Sequence, residues 1–332
     1  MATLASLSDV QSPSGRGREA LALLLTESAF LRALDRTSAW ELDAFNFDWQ
    51  PSLAGSSLKT RAVGNNFSAT LITPPSKITS TQAIHGDAIK IDVARLADAK
   101  LGLRSFDTWM SKQLMRQIRQ FAKDWENIFF NGDATANPAQ MKGLSKILDG
   151  STDLPGYSGT AATRVLDAAS LVSSAVSLDL KSGTAANNKK FIEALRLAIT
   201  QVENPSMIVV NRSLMSRIET ILHESRSIQV TIDNLGNPVK SFDGVPFEIV
   251  SDAAITLTEP DNTPTTPLTN TTSLYVLAPG EQQFSVVTNS GFYWRDYDHQ
   301  EAEEKNLEKF EIRSQLKIET PERVYRVRNI KV

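Results

Sequence analysis

Residues Ser105 to Phe130 carry the longest helical pattern in the chain, and they set the scale of any fold that contains it. Met110, Leu114, Ile118, Phe121 or Ala122, Trp125 and Phe129 step by three and four, which places them on one helix face. At 1.5 Å per residue such a helix is about 38 Å long. Soluble helices average about 11–12 residues, so this one is exceptional. Arg116, Arg119 and Lys123 recur on another face, where like charges side by side cost about a few tenths of a kcal/mol per pair. Three readings of that basic face stand: a solvated surface, a surface that meets acidic groups of a neighbouring molecule, or contact with packed nucleic acid. Asn131-Gly132-Asp133 stops the helix, by the rule that Gly or Asn just past the last turn takes φ > 0. Ala134 to Gly143, with Pro138, follows as a tight loop.

The rest of the chain divides around this helix. Its 332 residues accommodate about two domains, and 41% hydrophobic with 22% charged residues is an ordinary globular balance. Met1 to Gly17 is small and polar. Arg18 to Leu34 reads as a helix, with Leu21, Leu24, Leu25, Phe30, Leu31 and Leu34 at helical spacing. That helix docks either on its own domain or on another subunit. Trp40 to Gln50 is rich in aromatic residues, which need burial partners. Ser52 to Ser80 is mostly small and polar, with thin strand-like stretches at Phe67–Ile72 and Lys77–Ile84 around Pro74-Pro75. It reads as an extended two-stranded excursion, marginal alone and steadier against a neighbouring molecule. Ile89, Ile91 and Val93 alternate as a half-buried strand.

A second domain runs from about Lys146 to Gly291 and has α/β character. Lys189–Val202 is a helix broken at Asn204-Pro205. Met207–Val210 is a short buried strand, and the next helix carries Leu214, Ile218, Ile221 and Leu222. Ile228–Ile232, Val245–Val250 and Leu274–Leu277 are further strands. Gly236-Asn237-Pro238 and Asp243-Gly244 are turns, and Glu259–Thr272 is a surface loop. In the tail, Phe310, Ile312, Ser314, Leu316 and Ile318 alternate with charged residues, and Val324 and Tyr325 open a last strand. These two strands are expected to return to the first domain beside the long helix. Pro321 to Val332 carries Arg323, Arg326, Arg328 and Lys331 against Glu322, net +3, and reads as a solvated edge strand guarded by charge.

Composition excludes several function classes. Cysteine is absent, so disulfide, thiolate and Cys-based metal chemistry are out. The three histidines, His85, His223 and His299, are not at metal-motif spacing. A formal charge of −3 gives no case for a dedicated nucleic-acid binder. The longest apolar runs fall far short of about 18 residues, so no transmembrane helix is expected. Residues 1–10 show no basic region followed by an apolar core, so no secretory signal is expected.

Motif by motif, no catalytic, cofactor-binding or metal site is predicted. There is no P-loop and no Gly-x-Ser-x-Gly. Asn131 to Asn137 offers oxygens, but the Gly and terminal Glu of a calcium loop are missing from their positions, so turn chemistry is preferred. His85-Gly86-Asp87 reads as a turn without a marked nucleophile. His223 sits favourably at a helix C-terminus. Asp296, Asp298, His299 and Glu301 would collect a cation only if folded together. Tyr293, Trp294 and Tyr297 read as packing residues.

The order of elements resembles the major capsid proteins of tailed double-stranded DNA bacteriophages, the HK97-like fold family. The resemblance rests on Trp125-Glu126-Asn127-Ile128-Phe129-Phe130-Asn131-Gly132-Asp133 at the end of the long helix. Asn137-Pro138-Ala139-Gln140-Met141-Lys142-Gly143-Leu144 follows, and the strands after Phe310 complete it. It is spread over about Trp40 to Val332. It implies an α+β chain divided into an N-terminal arm (1–46), an extended β-hairpin E-loop (47–90) and a peripheral domain with the spine helix (91–146). An axial domain (147–290) and return strands of the peripheral domain (291–332) follow.

In function, the resemblance implies a structural protein, not an enzyme, without cofactors. It assembles as pentamers and hexamers into an icosahedral shell around packaged double-stranded DNA, which it touches loosely and non-specifically. Its place is the virion capsid, assembled in the host bacterial cytoplasm with no membrane contact. About 40 residues precede the E-loop, too few for a large fused scaffolding segment. A separate scaffolding protein, or none at all, is therefore expected, with a portal protein and room for a decoration protein. Some relatives crosslink subunits through an E-loop lysine, for which Lys59 and Lys77 are positioned, but no matching Asn or acidic catalyst is identified. The rival readings are an encapsulin-like cargo shell, a soluble two-domain enzyme with a titratable pair in a cleft, and a ring-forming tail or head-completion protein.

Overall fold

The computed structural model describes residues 3, 4, 6, 15–50, 77–92, 104–149, 164–172, 177–181, 184–224, 229–232, 238–259, 268–280, 283–300 and 305–332. Lys59, Phe67–Ile72, Pro74-Pro75, Gly236-Asn237 and Glu301 lie outside the described residues, as does most of the Glu259–Thr272 loop. The described helices are α1 (Gly15–Glu27), α2 (Ala29–Arg36), α3 (Arg104–Asn131), α4 (Leu144–Asp149), α5 (Ala185–Gln201) and α6 (Arg212–Glu224). The described strands are β1 (Trp40–Leu42), β2 (Asn46–Trp49), β3 (Ile78–Thr81), β4 (Ala83–Asp92), β5 (Val165–Asp167), β6 (Leu178–Asp179), β7 (Met207–Asn211), β8 (Gln229–Ile232) and β9 (Pro238–Phe242). They continue as β10 (Val245–Val250), β11 (Thr258–Glu259), β12 (Leu268–Thr269), β13 (Thr271–Leu277), β14 (Phe284–Thr288), β15 (Phe292–Gln300), β16 (Lys305–Ile318) and β17 (Val324–Lys331).

The expected long helix is α3, 28 residues. Its apolar stripe buries Ile118, Phe121, Ala122, Trp125 and Phe129, joined by Phe130. Three layers meet on that stripe. Leu21, Leu24, Phe30, Leu31 and Leu34 of α1 and α2 cover it from one side, with the Phe30 ring 4.8 Å from that of Phe129 in an edge contact. A five-stranded sheet covers it from another, bringing Trp40 to 5.9 Å from Trp125 and Phe310 to 5.2 Å from Phe121. The third layer is one face of an eight-stranded sheet, through Met207, Val209, Tyr275, Leu277 and Val324.

Strand periodicity explains how that second sheet serves two cores. Successive side chains point to opposite faces, so β7 sends Met207 and Val209 toward α3, and Ile208 and Val210 away from it. The far face packs under α5 and α6 through Phe191, Leu195, Leu214, Ile218 and Leu222. A strand covered on both faces reads as a continuous apolar run, and all five residues of β7 are buried. The sheet runs β5-β17-β13-β7-β10-β9-β8, with β6 also pairing β17. Asp243 and Gly244 both take positive φ (48° and 84°), the two-residue turn that joins hairpin strands β9 and β10.

Several expectations are corrected. His85-Gly86-Asp87 is no turn. It lies inside β4, which pairs with β16 from Ala83↔Ser314 to Asp92↔Lys305. A side chain at Gly86 would stand 2.4 Å from the Phe310 carbonyl oxygen, so the glycine serves a close strand approach. Of the two closing strands, β16 lies beside α3, where Trp125 Nε1 donates to Ser314 Oγ at 3.3 Å, while β17 reaches the α3 core only at its first residue, Val324. β17 instead sits inside the eight-stranded sheet, between β13 and β5/β6, while β14, from the preceding segment, joins the five-stranded sheet.

The basic tail is likewise no solvated edge. Arg326 is buried and donates to Ser273 Oγ at 2.9 Å, with its guanidinium over the Tyr275 ring. Arg328 pairs with Asp167, Lys331 with Asp179, and Arg323 donates to the Glu203 carbonyl. The charges that looked like a guarded edge are satisfied by groups distant in sequence.

The stop of α3 works differently from the φ > 0 rule. Gly132 is not among the positive-φ residues. Its N–H donates to Ile128 O at 2.8 Å, and its own carbonyl accepts from Gly143 N–H at 2.8 Å. The loop therefore folds back onto the helix end, and backbone fills the space where a side chain would sit. Asp133 serves the turn: its carboxylate accepts from the Thr135 and Ala136 N–H groups and pairs with Lys146 at 3.2 Å. The two backbone donors and Lys146 lower the Asp133 carboxyl below its ordinary range.

Candidate assembly surfaces

The N-terminal helices are anchored to their own subunit at both ends of α2. Ser28 is the N-cap of α2 and is 2% exposed. Its hydroxyl accepts from Leu31 N–H at 2.9 Å and donates to Glu126 Oε1 of α3 at 2.5 Å. At the other end, Arg36 pairs with Glu248 of β10 at 3.1 Å. On α1, Glu27 pairs with Arg119 of α3 at 2.8 Å, so part of the basic helix face meets an acid of its own chain. Ser28→Ala removes a cap and a donor to a buried carboxylate together. It is expected to cost about 2 kcal/mol in urea unfolding; a loss below about 0.5 kcal/mol, the ordinary surface value, would contradict the anchoring.

A second surface surrounds the base of the hairpin formed by β2 and β3. These strands pair from Asn46↔Thr81 to Trp49↔Ile78, with Trp49 Nε1 donating to Ser80 Oγ at 3.1 Å. Below them Gln82, 2% exposed, ties three segments: its amide donates to the Asp43 and Ala44 carbonyls, and its Oε1 accepts from Asn289 N–H at 2.9 Å. The exit of the hairpin is thus held to the β14–β15 turn. Around this clamp stand the exposed apolar side chains Leu42, Phe45 and Ile84, and Lys77 is exposed at the start of β3.

Between β4 and α3 lies a groove of ≈ 570 Å³, lined among others by Ile84, His85, Asp87, Arg116, Gln120 and Asp124. His85 is 7% exposed and burial pushes its imidazole down to about 4, so it stays neutral near pH 7. None of the groove's lining residues is Ser, Thr, Cys, Lys or Tyr, so the His85–Asp87 pair has no hydroxyl, thiol or amine nucleophile beside it there. A smaller groove of ≈ 460 Å³ separates α5 from α6, with Lys189, Glu193, Arg196 and Glu224 on its rim.

Of the remaining sequence-singled residues, His223 sits in the last turn of α6. Tyr293 and Trp294 lie in β15, with the Trp294 ring stacked on Phe310 at 5.7 Å. Asp296, Asp298 and His299 fall at the end of that strand, and their side chains are not described. Among the described residues no three His, Asp or Glu side chains gather as a metal site, and no described helix is long and apolar enough to cross a membrane. Sequence reasoning missed Ser28, Gln82, Glu126 and Glu248. The only signal was a polar residue inside an apolar stretch, as with Glu126 beside Trp125.

The sequence profile of the SU10 major capsid protein family matches residues 22–253, more than half of the chain. No curated protein matches. Among solved structures, the encapsulin of the holo-SrpI complex from Synechococcus elongatus PCC 7942 is similar at 12% identity and TM-score 0.55, over 90% of this chain and 88% of its own. The capsid of a native GTA particle is similar at 13% identity and TM-score 0.52, over 90% of each chain. At these identities the two structures establish a shared fold, mixed helix and sheet of the HK97-like kind. The profile adds the lineage: the chain belongs to the SU10 major capsid protein family and is a shell-forming structural protein.

Proposed function

We propose that this subunit forms pentamers and hexamers that close into an icosahedral shell around packaged double-stranded DNA. Membership of the capsid family over residues 22–253 carries the reading. The subunit's build supports it. Three of its exposed apolar side chains, Leu42, Phe45 and Ile84, stand close in sequence to the Gln82 clamp and its partners, and repeated interfaces under closed symmetry need such surfaces. The division into N-terminal arm, E-loop, peripheral and axial parts follows, with β14 joining the peripheral sheet and β17 the axial one.

The role is structural rather than enzymatic. Assembly would take place in the host bacterial cytoplasm with a separate scaffolding protein and a portal protein, with room for a decoration protein on the finished shell. Contact with DNA is loose. The tail arginines that could hold phosphates are engaged within the subunit, and strong non-specific affinity needs many phosphate contacts.

The test is the content of purified, nuclease-treated particles. Protected double-stranded DNA is the expected result. A second protein in place of DNA would overturn the genome-container reading in favour of a cargo shell, the alternative that the encapsulin fold keeps in view.

A further inference from the structure

The groove between β4 and α3 holds two polar atoms that are buried and unpaired among the described residues, His85 Nε2 and Gln117 Oε1. Unpaired buried polar atoms are costly, and each calls for a physical account. His85 and Asp87 stand opposite the core residues Ile312 and Phe310 of β16, which puts both on the α3 side of the sheet. The imidazole, neutral near pH 7, keeps one acceptor nitrogen, and an amide oxygen only accepts. Two acids stand with them, Asp87 and Asp124, against one cation, Arg116. Ala88 N–H engages one oxygen of Asp87, and Gln120 Nε2 one oxygen of Asp124, which leaves room for further donors on each carboxylate. Trp125 and Phe121 add aromatic surface.

The unmet demand is for donors and positive charge beside aromatic rings. Arginine supplies all three matches at once: five N–H donors in a planar fork, no acceptor, and a flat face that stacks on aromatic side chains. An anion would meet two carboxylates, and a lysine ammonium offers the charge without the flat face. The volume of ≈ 570 Å³ is ample for one side chain.

We propose that this groove is an arginine-binding site, filled in the assembled shell by Arg61 of a second copy of this chain.

The chain outside the described residues supports that occupant. Segment 51–76 carries Lys59 and Arg61 and no acidic residue, the complement of a groove with more acid than base. It leaves the β2–β3 hairpin at the far end, since Asn46↔Thr81 is the pair next to Gln82 and Trp49↔Ile78 the outermost. Ile78 lies up to about 23 Å from His85 along an extended strand. To fill the groove of its own subunit, the segment would have to double back along the hairpin. Arg61 follows Gln50 closely enough to reach up to about 36 Å outward, far enough to meet a neighbour.

The inference rests on the shell reading, and the test separates the two. Particle yield from the full-length chain is measured by sedimentation, with circular dichroism as the check on folding. Arg61→Asp is expected to lower the yield at least about tenfold, and Arg61→Lys to lower it less, since the charge survives without the fork. Asp87→Arg with Asp124→Arg, both at exposed positions, is expected to match the loss from Arg61→Asp. Combining all three reversals should return most of the yield, which neither a loss of fold nor a general change of surface charge would do. An unmodified yield from the Arg61→Asp chain would overturn the proposal. So would folded one-sided variants whose combination recovers nothing. A loss confined to the Asp87 and Asp124 variants would also overturn it, and would assign the groove to a cation of another protein. If the reversed groove fails to fold, Asp87→Asn with Asp124→Asn must still lower the yield, and an unchanged yield there overturns the proposal equally. Absence of particles from the unmodified chain would instead remove the shell reading, and this inference with it.

Discussion

Deleting residues 1–36 is expected to abolish folding of the subunit itself, not merely its assembly. The deletion removes Leu21, Leu24, Phe30, Leu31 and Leu34, all buried against α3. At about 1.5–3 kcal/mol for each large apolar side chain, the lost burial is on the order of 10 kcal/mol. Domain stabilities are about 5–15 kcal/mol, so little would remain. The deletion also strips the Phe30 ring from Phe129 and Phe130 and leaves Glu126 without the Ser28 donor. Circular dichroism and thermal unfolding of the truncated chain check this. A cooperatively folded truncated monomer that fails only to assemble would mean that the helices belong on a neighbouring subunit, the alternative left open by pattern alone.

Gly132→Ala is expected to destabilise the subunit by about 3–5 kcal/mol. An added Cβ would stand 2.3 Å from the Met141 carbonyl oxygen and 2.5 Å from the Ile128 carbonyl oxygen. Both are backbone atoms, so no side chain can swing aside. Relief means either opening the last turn of α3 or pulling the 132–143 loop off it, which would break the Gly143 N–H to Gly132 O bond. Gly143 is under the same constraint, 2.3 Å from the Gly132 nitrogen. Gly280→Ala is the control: its Cβ would meet nothing nearer than the Gln283 side-chain oxygen at 3.9 Å, and a change within about 0.5 kcal/mol is expected. Denaturant unfolding of the two variants side by side checks the argument; equal stability would refute it.

These sites mark where sequence reasoning reaches and where it stops. The stripe of α3 was legible because a 3.6-residue period over seven turns has no strand interpretation. The buried run of β7 was legible because nothing polar interrupts Met207 to Val210. The family resemblance rests on Trp125–Asp133, Asn137–Leu144 and the strands after Phe310, and within the first two stretches Gly132 and Gly143 are where the loop locks onto the helix end. The position was legible, but the reason given for it, a positive φ, was not the operative one. Contact with a backbone 9 residues further on leaves no local trace.

The place of β17 was hidden for a related reason. Arginines alternating with apolar residues signify a wet edge unless their partners are known, and Asp167 and Asp179 lie far upstream. The strand β14, Phe284–Thr288, was not read from the sequence at all, so neither was its place in the five-stranded sheet. Ser28 with Glu126, and Gln82 with the Asp43 and Ala44 carbonyls, are polar contacts across tens of residues. Nothing in the spacing of such residues announces them.

The central claim is that the chain builds closed shells. Size-exclusion chromatography with negative-stain electron microscopy of the purified full-length protein tests it most directly. The expected result is closed particles, or capsomers of about 180 or 220 kDa, five or six times the 36.5 kDa chain. A monodisperse monomer or dimer that forms no particle, even with a scaffolding partner present, would contradict it.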